Sequence, residues 1–435
     1  MKKILILTYT LLFCSFMQAQ QIELISKEEV LTQVKENNLH LKILEQEVIM
    51  AKADYNQTNA IFLPNLKASH TAITTTNPLM AFGSKLNQEI ITQTDFDPNG
   101  LNNPSRIENY ATKFEIQQPL LNLDGIFKRQ AARSIVTATQ FKLNRAEDYI
   151  ELEIEKAYMQ LQLAYKTLDV LEITRRTVQE NLRFSQDRFD QGYLQKPDLL
   201  MVEVRLIEVE NQLQYAKSEI ENASNYMSVL MAAPVTVTLK PTDSLVPLPI
   251  NLALDLKLSE NRADLQAMQI ATKAFQQNYR ADKMTFLPRL NAFGSYELYD
   301  DNIFQGAANG YVLGAELSWT ILEGSKRFGK LQKSKADLEK SKFEYEKYKS
   351  ESELEINKAK RMYLDAENNL RLTKLALEQA EESLRIRSNR FKEGLERTSD
   401  LLLSETQYAQ KQLDYYNAIY QQNYTNLYVV FLTKN

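Results

Sequence analysis

Among 435 residues there is one cysteine, Cys14, near the N-terminus. Beyond it no thiol remains, which excludes disulfide staples, thiolate nucleophiles and cysteine-ligated metals. Glycine and proline number only 11 each, below their usual frequency, so many short elements joined by tight turns are not expected. Histidine is scarcer still. His40 and His70 lie far apart in the chain, leaving an imidazole metal site without a second ligand at workable spacing. The eleven methionines are scattered and read as core packing rather than a copper relay. No phosphate-cradling glycine loop and no nucleophile elbow is present, so neither an enzyme nor a cofactor is expected. A net charge of −4 with both signs interleaved gives no basic stripe for nucleic acid. After the N-terminal segment no run reaches the ~20 apolar residues of a spanning helix, so entry into a membrane would require strands.

The chain opens with MKKILILTYTLLFCSFMQA, two lysines ahead of an apolar run ending near Ala19, the layout of a secretory signal peptide over residues 1–19. Met17, three before the cut, departs from the usual small residue. The remainder is a duplication. RFDQGYLQKPDLL at 188–200 returns as RFKEGLERTSDLL 202 residues later, at 390–402. IFLPNLKAS at 61–69 returns as TFLPRLNAF at 285–293, an offset of 224, and ATKFEIQQPLL at 111–121 aligns with VLGAELSWTIL at 312–322, an offset of 201. The drop in offset places 23 extra residues in the first copy, within the polar stretch 77–105, which reads as a long surface loop. The equivalent loop of the second copy is short, near 300–310.

Periodicity changes in the same order in each copy. Residues 66–76, 110–118, 290–299 and 311–319 alternate with period two. Tyr110, Thr112, Phe114 and Ile116 point one way, and Ala111, Lys113, Glu115 and Gln117 the other. In the second copy Tyr311, Leu313, Ala315, Leu317 and Trp319 repeat the apolar face. For an isolated hairpin this reads first as a half-buried soluble pair; aromatics at the ends of a modest apolar face on ~10-residue strands are also what a transmembrane barrel strand shows. Long helical stretches follow, at about 125–190 and 325–392, with apolar residues in a 4-3 spacing that continues in the returning helix after the turn. A helix of ~65 residues is about 100 Å long and must project from any globular body. Four strands per chain cannot close a barrel; three chains would supply twelve.

The two-copy layout, the FLPxL at Phe62–Leu66 and Phe286–Leu290, the QPLL at 118–121 and the duplicated RFxxG ahead of DLL resemble TolC-like outer-membrane efflux proteins. The resemblance covers essentially all of the mature chain and implies a mainly α fold with β: an outer-membrane β-barrel of twelve strands in a homotrimer, continuous with a long periplasmic α-helical barrel. The implied organisation is a first repeat at 20–232, an equatorial segment at 233–258 and a second repeat at 259–435. The implied function is the exit duct of a tripartite efflux or type I secretion system, a passive conduit joined by a periplasmic adaptor to an inner-membrane pump. A periplasmic coiled-coil adaptor or scaffold is the competing reading; such a protein would carry one hairpin flanked by all-β modules, whereas here two hairpins alternate with amphipathic strand pairs.

The resemblance also assigns positions. The duplicated turns would be the periplasmic tips, with Asp198, Asp400, Phe189 and Phe391 at the entrance and Arg188, Gly192, Arg390 and Gly394 in the turn that meets the adaptor. Asp198 and Asp400 also suit helix N-caps, a role compatible with lining an entrance. One turn on, where some family members carry a second acid, this chain has Met201 and Leu403, which implies a less acidic constriction. Phe391 stands where some members use a tyrosine to bond across the closed tip. Gly192 and Gly394 suit a positive φ. Tyr110, Tyr311 and Trp319 would sit at the membrane interfaces in contact with outer-membrane lipid.

Overall fold

The computed structural model describes residues 22–249 and 257–434. The proposed signal peptide and part of the 233–258 segment lie outside them. In chain order the principal elements are β1 (Ile22–Ile25), α1 (Lys27–Asn37), α2 (Leu39–Gln57), β2 (Asn65–Thr75), α3 (Pro78–Asn87) and β3 (Ile107–Leu121). There follow α4 (Leu123–Asp190), α5 (Lys196–Leu230), β4 (Thr238–Pro241), α6 (Ala263–Met284), β5 (Arg289–Asp300), β6 (Ala308–Ser318), α7 (Lys326–Lys392) and α8 (Thr398–Thr433). The chain divides into two units, one of Met1–Gln46, Phe141–Gln266 and Lys347–Asn435, the other of Glu47–Gln140 and Ala267–Glu346.

The second unit holds a four-stranded antiparallel sheet in the order β2-β3-β5-β6. Its central pair, β3 with β5, joins the two repeats, so the duplication is sealed by backbone hydrogen bonds. Cross-strand partners share a face. Leu66, Phe114, Ile116, Tyr296, Leu313 and Leu317 fall on one side, and Lys67, Lys113, Glu115 and Glu297 on the other. Lys113 lies 3.0 Å from Glu115 and 3.1 Å from Glu297, tying the polar face across strands. The apolar face has no cover among the described residues: Tyr311 and Leu313 are each 75% exposed. β3 runs three residues beyond each end of the 110–118 alternation, and its register slips between Pro119 and Leu121, where proline has no N–H to donate.

The 77–105 stretch departs from the surface-loop expectation. Asn77 caps α3, accepting from the Met80 N–H at 3.3 Å with Pro78 at the first helical position, and further helical turns occupy Gln93–Phe96 and Pro98–Asn102. Its polar composition and turn residues mark helix starts as well as loops, so the sequence pattern alone did not separate the two.

In the first unit the 4-3 spacing becomes a packed seam. Leu171 and Val178 of α4 meet Val202, Val209, Leu213 and Ala216 of α5, with Leu402 of the second hairpin against the same cluster. β1 and β4 form a small parallel sheet, and the Tyr158 hydroxyl, on a fully buried side chain of α4, donates to the Ile25 carbonyl and the Asp243 carboxylate.

The C-terminal end of α8 is fastened by charge. Its last carbonyls have no helical partner; Arg145 donates to that of Phe431 at 3.0 Å and Arg262 to that of Leu432 at 3.1 Å. Arg262, only 2% exposed, also reaches Asp264 at 2.7 Å and Ser352 at 2.7 Å, and Tyr348 donates to Asp264 at 2.7 Å. Burial alone would push the Asp264 carboxyl up, but the hydrogen bonds from Arg262 and Tyr348 and the two guanidinium charges hold it below its usual value. A carboxylate lowered in the folded state stabilises it above the ordinary Asp pKa of about 4, and that contribution fades as pH falls through the folded value. Arg262→Met should therefore cost about 1–3 kcal/mol: it removes one of the two guanidinium groups on Asp264, which keeps Arg145 at 3.3 Å and Tyr348, and leaves the Leu432 carbonyl without its donor. Thermal unfolding of detergent-solubilised protein checks this: the loss should be full at pH 7 and shrink toward pH 3, and an equal loss at both would contradict the charge clasp.

Candidate functional site at the duplicated helical turns

The two turns close in the same way. At the end of α4 the Gly192 N–H donates to the Phe189 carbonyl at 2.9 Å and the Tyr193 N–H to that of Arg188 at 2.8 Å. At the end of α7 Gly394 donates to Phe391 at 3.0 Å and Leu395 to Arg390 at 2.9 Å. Each is a Schellman arrangement, which needs a left-handed residue just past the helix, and φ is +78° at Gly192 and +77° at Gly394.

The side chains around this shared backbone diverge. Arg390 pairs with Glu396 of its own turn at 2.8 Å, and Arg387 reaches the other oxygen of Glu396 at 2.6 Å. Arg188 instead crosses to the second turn. Its guanidinium lies 4.8 Å from the Phe184 ring centroid and 5.5 Å from that of Phe391, and it donates to the Lys392 carbonyl at 3.5 Å. Phe184 and Phe391 meet edge to face at 5.7 Å. Phe391 is 2% exposed, so it packs inside the chain, whereas Phe189 is half-buried with Lys196 5.4 Å from its ring. Arg188, Phe391 and Gly394 are thus gathered at one place.

Asp198 and Asp400 are not N-caps. Those positions belong to Gln195 and Arg397, neither of which bonds the helix with its side chain, and each Asp sits in the first turn, three residues in. Pro197 lies within the helix and not before it, which shifts the start of α5 toward Gln195. Their carboxylates remain half-exposed at the positive end of the helix dipole. The following leucines, Leu199 and Leu401, are fully buried and fix which way each Asp points. Met201 and Leu403 are 39% and 57% exposed.

A buried ion pair close by was not read from the sequence. Arg205 of α5 reaches Glu405 of α8 at 3.3 Å; Glu405 is 2% exposed, and its second oxygen, like the Arg205 Nε, has no partner. Burial pushes the Glu405 carboxyl up against the pull of Arg205. The only signal was a charged residue beside each apolar seam, where long charged side chains are ordinarily solvated. The pair has no repeat mate: 202 residues from Arg205 stands Gln407, and from Glu405 stands Glu203.

The aromatic positions lie on or beside the sheet. Tyr311 projects from the uncovered apolar face, whereas Trp319 lies one residue beyond the end of β6, exposed, with its Nε1–H donating to the Phe286 carbonyl at 3.0 Å. Tyr110 is half-buried, with His70 6.2 Å away.

An apolar-faced sheet with two open edges, in one chain with two helical hairpins, is a fold suited to the outer membrane. The chain belongs to the outer membrane efflux protein family, whose model matches residues 30–233 and 256–430. Membership places it in the outer membrane, among efflux proteins. It is 22% identical over 271 residues to the multidrug resistance outer membrane protein MdtP of Escherichia coli O157:H7, a match covering 54% of this chain and 55%, about half, of that protein. Among solved structures it is similar to VceC of Vibrio cholerae, with a TM-score of 0.78 at 15% identity, covering 94% of this chain and 95% of that one. It is also similar to the Campylobacter jejuni CmeC channel, with a TM-score of 0.78 at 14% identity, covering 94% and 85%. At these identities the structures establish the fold.

The two glycines should respond differently to substitution. Around Gly192 a Cβ meets open space, and Gly192→Ala should cost about 1 kcal/mol for the left-handed backbone alone. At Gly394 a Cβ would lie 3.1 Å from the Arg188 Nη2, so Gly394→Ala must also displace the guanidinium from its rings. Thermal unfolding should show the larger loss for Gly394→Ala, and an Arg188→Ala background should reduce it to the Gly192 value.

Proposed function

We propose that three copies of the chain form the passive exit duct of a tripartite efflux or type I secretion system, joined through a periplasmic adaptor to an inner-membrane pump. The observation that carries this reading is the sheet: its apolar face is exposed, its opposite face is charged, and β2 and β6 each keep an unpaired edge. Lipid accepts the first and a water-filled lumen the second, while neighbouring copies pair the edges. A soluble adaptor or scaffold would leave all three unsatisfied. The substrate class that fits is efflux cargo chosen by the pump, since the duct has no energy source of its own.

In this reading the 20–232 and 259–435 repeats each contribute a strand pair and a hairpin, and 233–258 forms the equatorial segment. The turns at Gly192 and Gly394 are the periplasmic tips. With Arg188 turned onto its own chain, Tyr193 at 79% exposure and Leu395 at 66% are the side chains left for the adaptor beside Gly192, Gly394 and Arg390. Asp198 and Asp400 give six carboxylates per trimer near one axis, a ring that attracts cations and resists tight closure. Tyr110, Tyr311 and Trp319 anchor the barrel at the membrane interfaces.

The ring is tested by combining Asp198→Asn with Asp400→Asn. Because neither Asp is a cap, the change removes only a helix-dipole interaction of about 0.3–1 kcal/mol at each position. The protein should remain a trimer by light scattering in mild detergent, and its cation selectivity in planar bilayers should fall. Unchanged selectivity in a trimer would remove these residues from the entrance; a monomer that stays soluble without detergent would remove the duct.

A further inference from the structure

The insertion between β2 and β3 has no role in the duct as described. It is a built feature. α3 begins three residues after β2 ends, and its return is held by Lys85 and Asp95 at 2.6 Å and by Thr92, whose N–H donates to Asp95 at 2.8 Å. Gln88, 4% exposed, roots it: its side-chain amide donates to the Asn109 Oδ1 at 2.9 Å and to the carbonyls of Glu108 at 2.9 Å and Asp300 at 3.1 Å.

The pleat of β3 decides which side this root is on. Asn109 alternates with Tyr110 and so shares the face of Ala111, Lys113 and Glu115, the charged face of the sheet. The insertion is therefore fastened toward the lumen and not toward lipid. Its outer surface is nevertheless apolar. Ala81 and Ser84 turn inward and are buried, while Leu79 is 81% exposed, Leu86 58%, Ile90 48% and Phe96 60%.

We infer that α3 and its flanking turns pack against the same segments of the other two copies around the channel axis, forming a cap that narrows the extracellular mouth. This rests on the trimeric reading above. A second copy is the occupant because α3 rises directly from β2, whose free edge is where the neighbouring copy must join, and because a lumen-side apolar surface has no lipid to cover it. Lys85 and Asp95 neutralise each other within the insertion, leaving Glu89 and Asp97 as its exposed acids at the rim of the apolar surface.

The cap is tested on the full chain in the outer membrane, with the unsubstituted protein as control for Cys14. Leu86→Cys should cross-link to dimers on oxidation of intact cells. Gly100→Cys, where a side chain meets open space, should react with a membrane-impermeant maleimide and not cross-link. In a second measurement, Ala111→Cys on the lumen face should label slowly from outside with a bulky impermeant maleimide, and at least fivefold faster when Leu79→Glu and Leu86→Glu are added. This readout does not depend on the periplasmic entrance being open. In samples that are trimeric in detergent, absence of the cross-link or an unchanged labelling rate overturns the cap and leaves the duct standing. Samples that are not trimeric overturn both.

Discussion

The unpaired backbone groups along β2 and β6 are the constraint from which the rest follows. In hydrocarbon each such group costs several kcal/mol, so a sheet with an apolar outer face cannot end in lipid. The chain supplies four strands, with the two repeats joined at the centre by β3 and β5, and leaves the outer edges for other copies. Closure by symmetry satisfies every strand without adding one to the chain. In the proposed trimer the polar face, with Lys113 between Glu115 and Glu297, lines the aqueous interior, where those charges remain solvated.

Duplication gives one solution twice, and divergence then gives the copies separate work. Both hairpins turn on a glycine with the same positive φ and the same pair of hydrogen bonds. Arg390 stays within its own turn on Glu396, whereas Arg188 leaves its turn to lie over Phe391 of the other. The first tip thus leans on the second through one guanidinium. Arg205 and Glu405 make a second link between hairpins, buried and only partly satisfied. Such a pair contributes little net stability once desolvation is counted, but losing one partner is costly, which favours a fixed register between α5 and α8.

The strand connections show a third divergence. The first copy carries a folded insertion rooted beside the charged face of the sheet, and the second a short loop.

The sequence by itself determined what depends on periodicity. Two-residue alternation located the strands and divided Phe114 and Ile116 from Lys113 and Glu115. The 4-3 spacing located the hairpins, and the recurrence of RFxxG and DLL located the turns and their glycines. These are local properties, written in neighbouring residues. What the tertiary structure decided depends on residues brought together from far apart or on competition among local signals. Asp198 and Asp400 proved to lie inside the first helical turn because Pro197 is accommodated within α5 and Thr398 and Ser399 within α8. Arg188 and Arg390 are the same letter at matched positions, and only packing sends one across to Phe391 and the other to Glu396. Glu405 looks like a solvated surface acid until α5 brings Arg205 against it. The 77–105 segment, polar and rich in turn residues, became a helix with an apolar outer face because Gln88 finds three acceptors at the strand ends. A long-range hydrogen bond of that kind leaves no periodic trace in the chain.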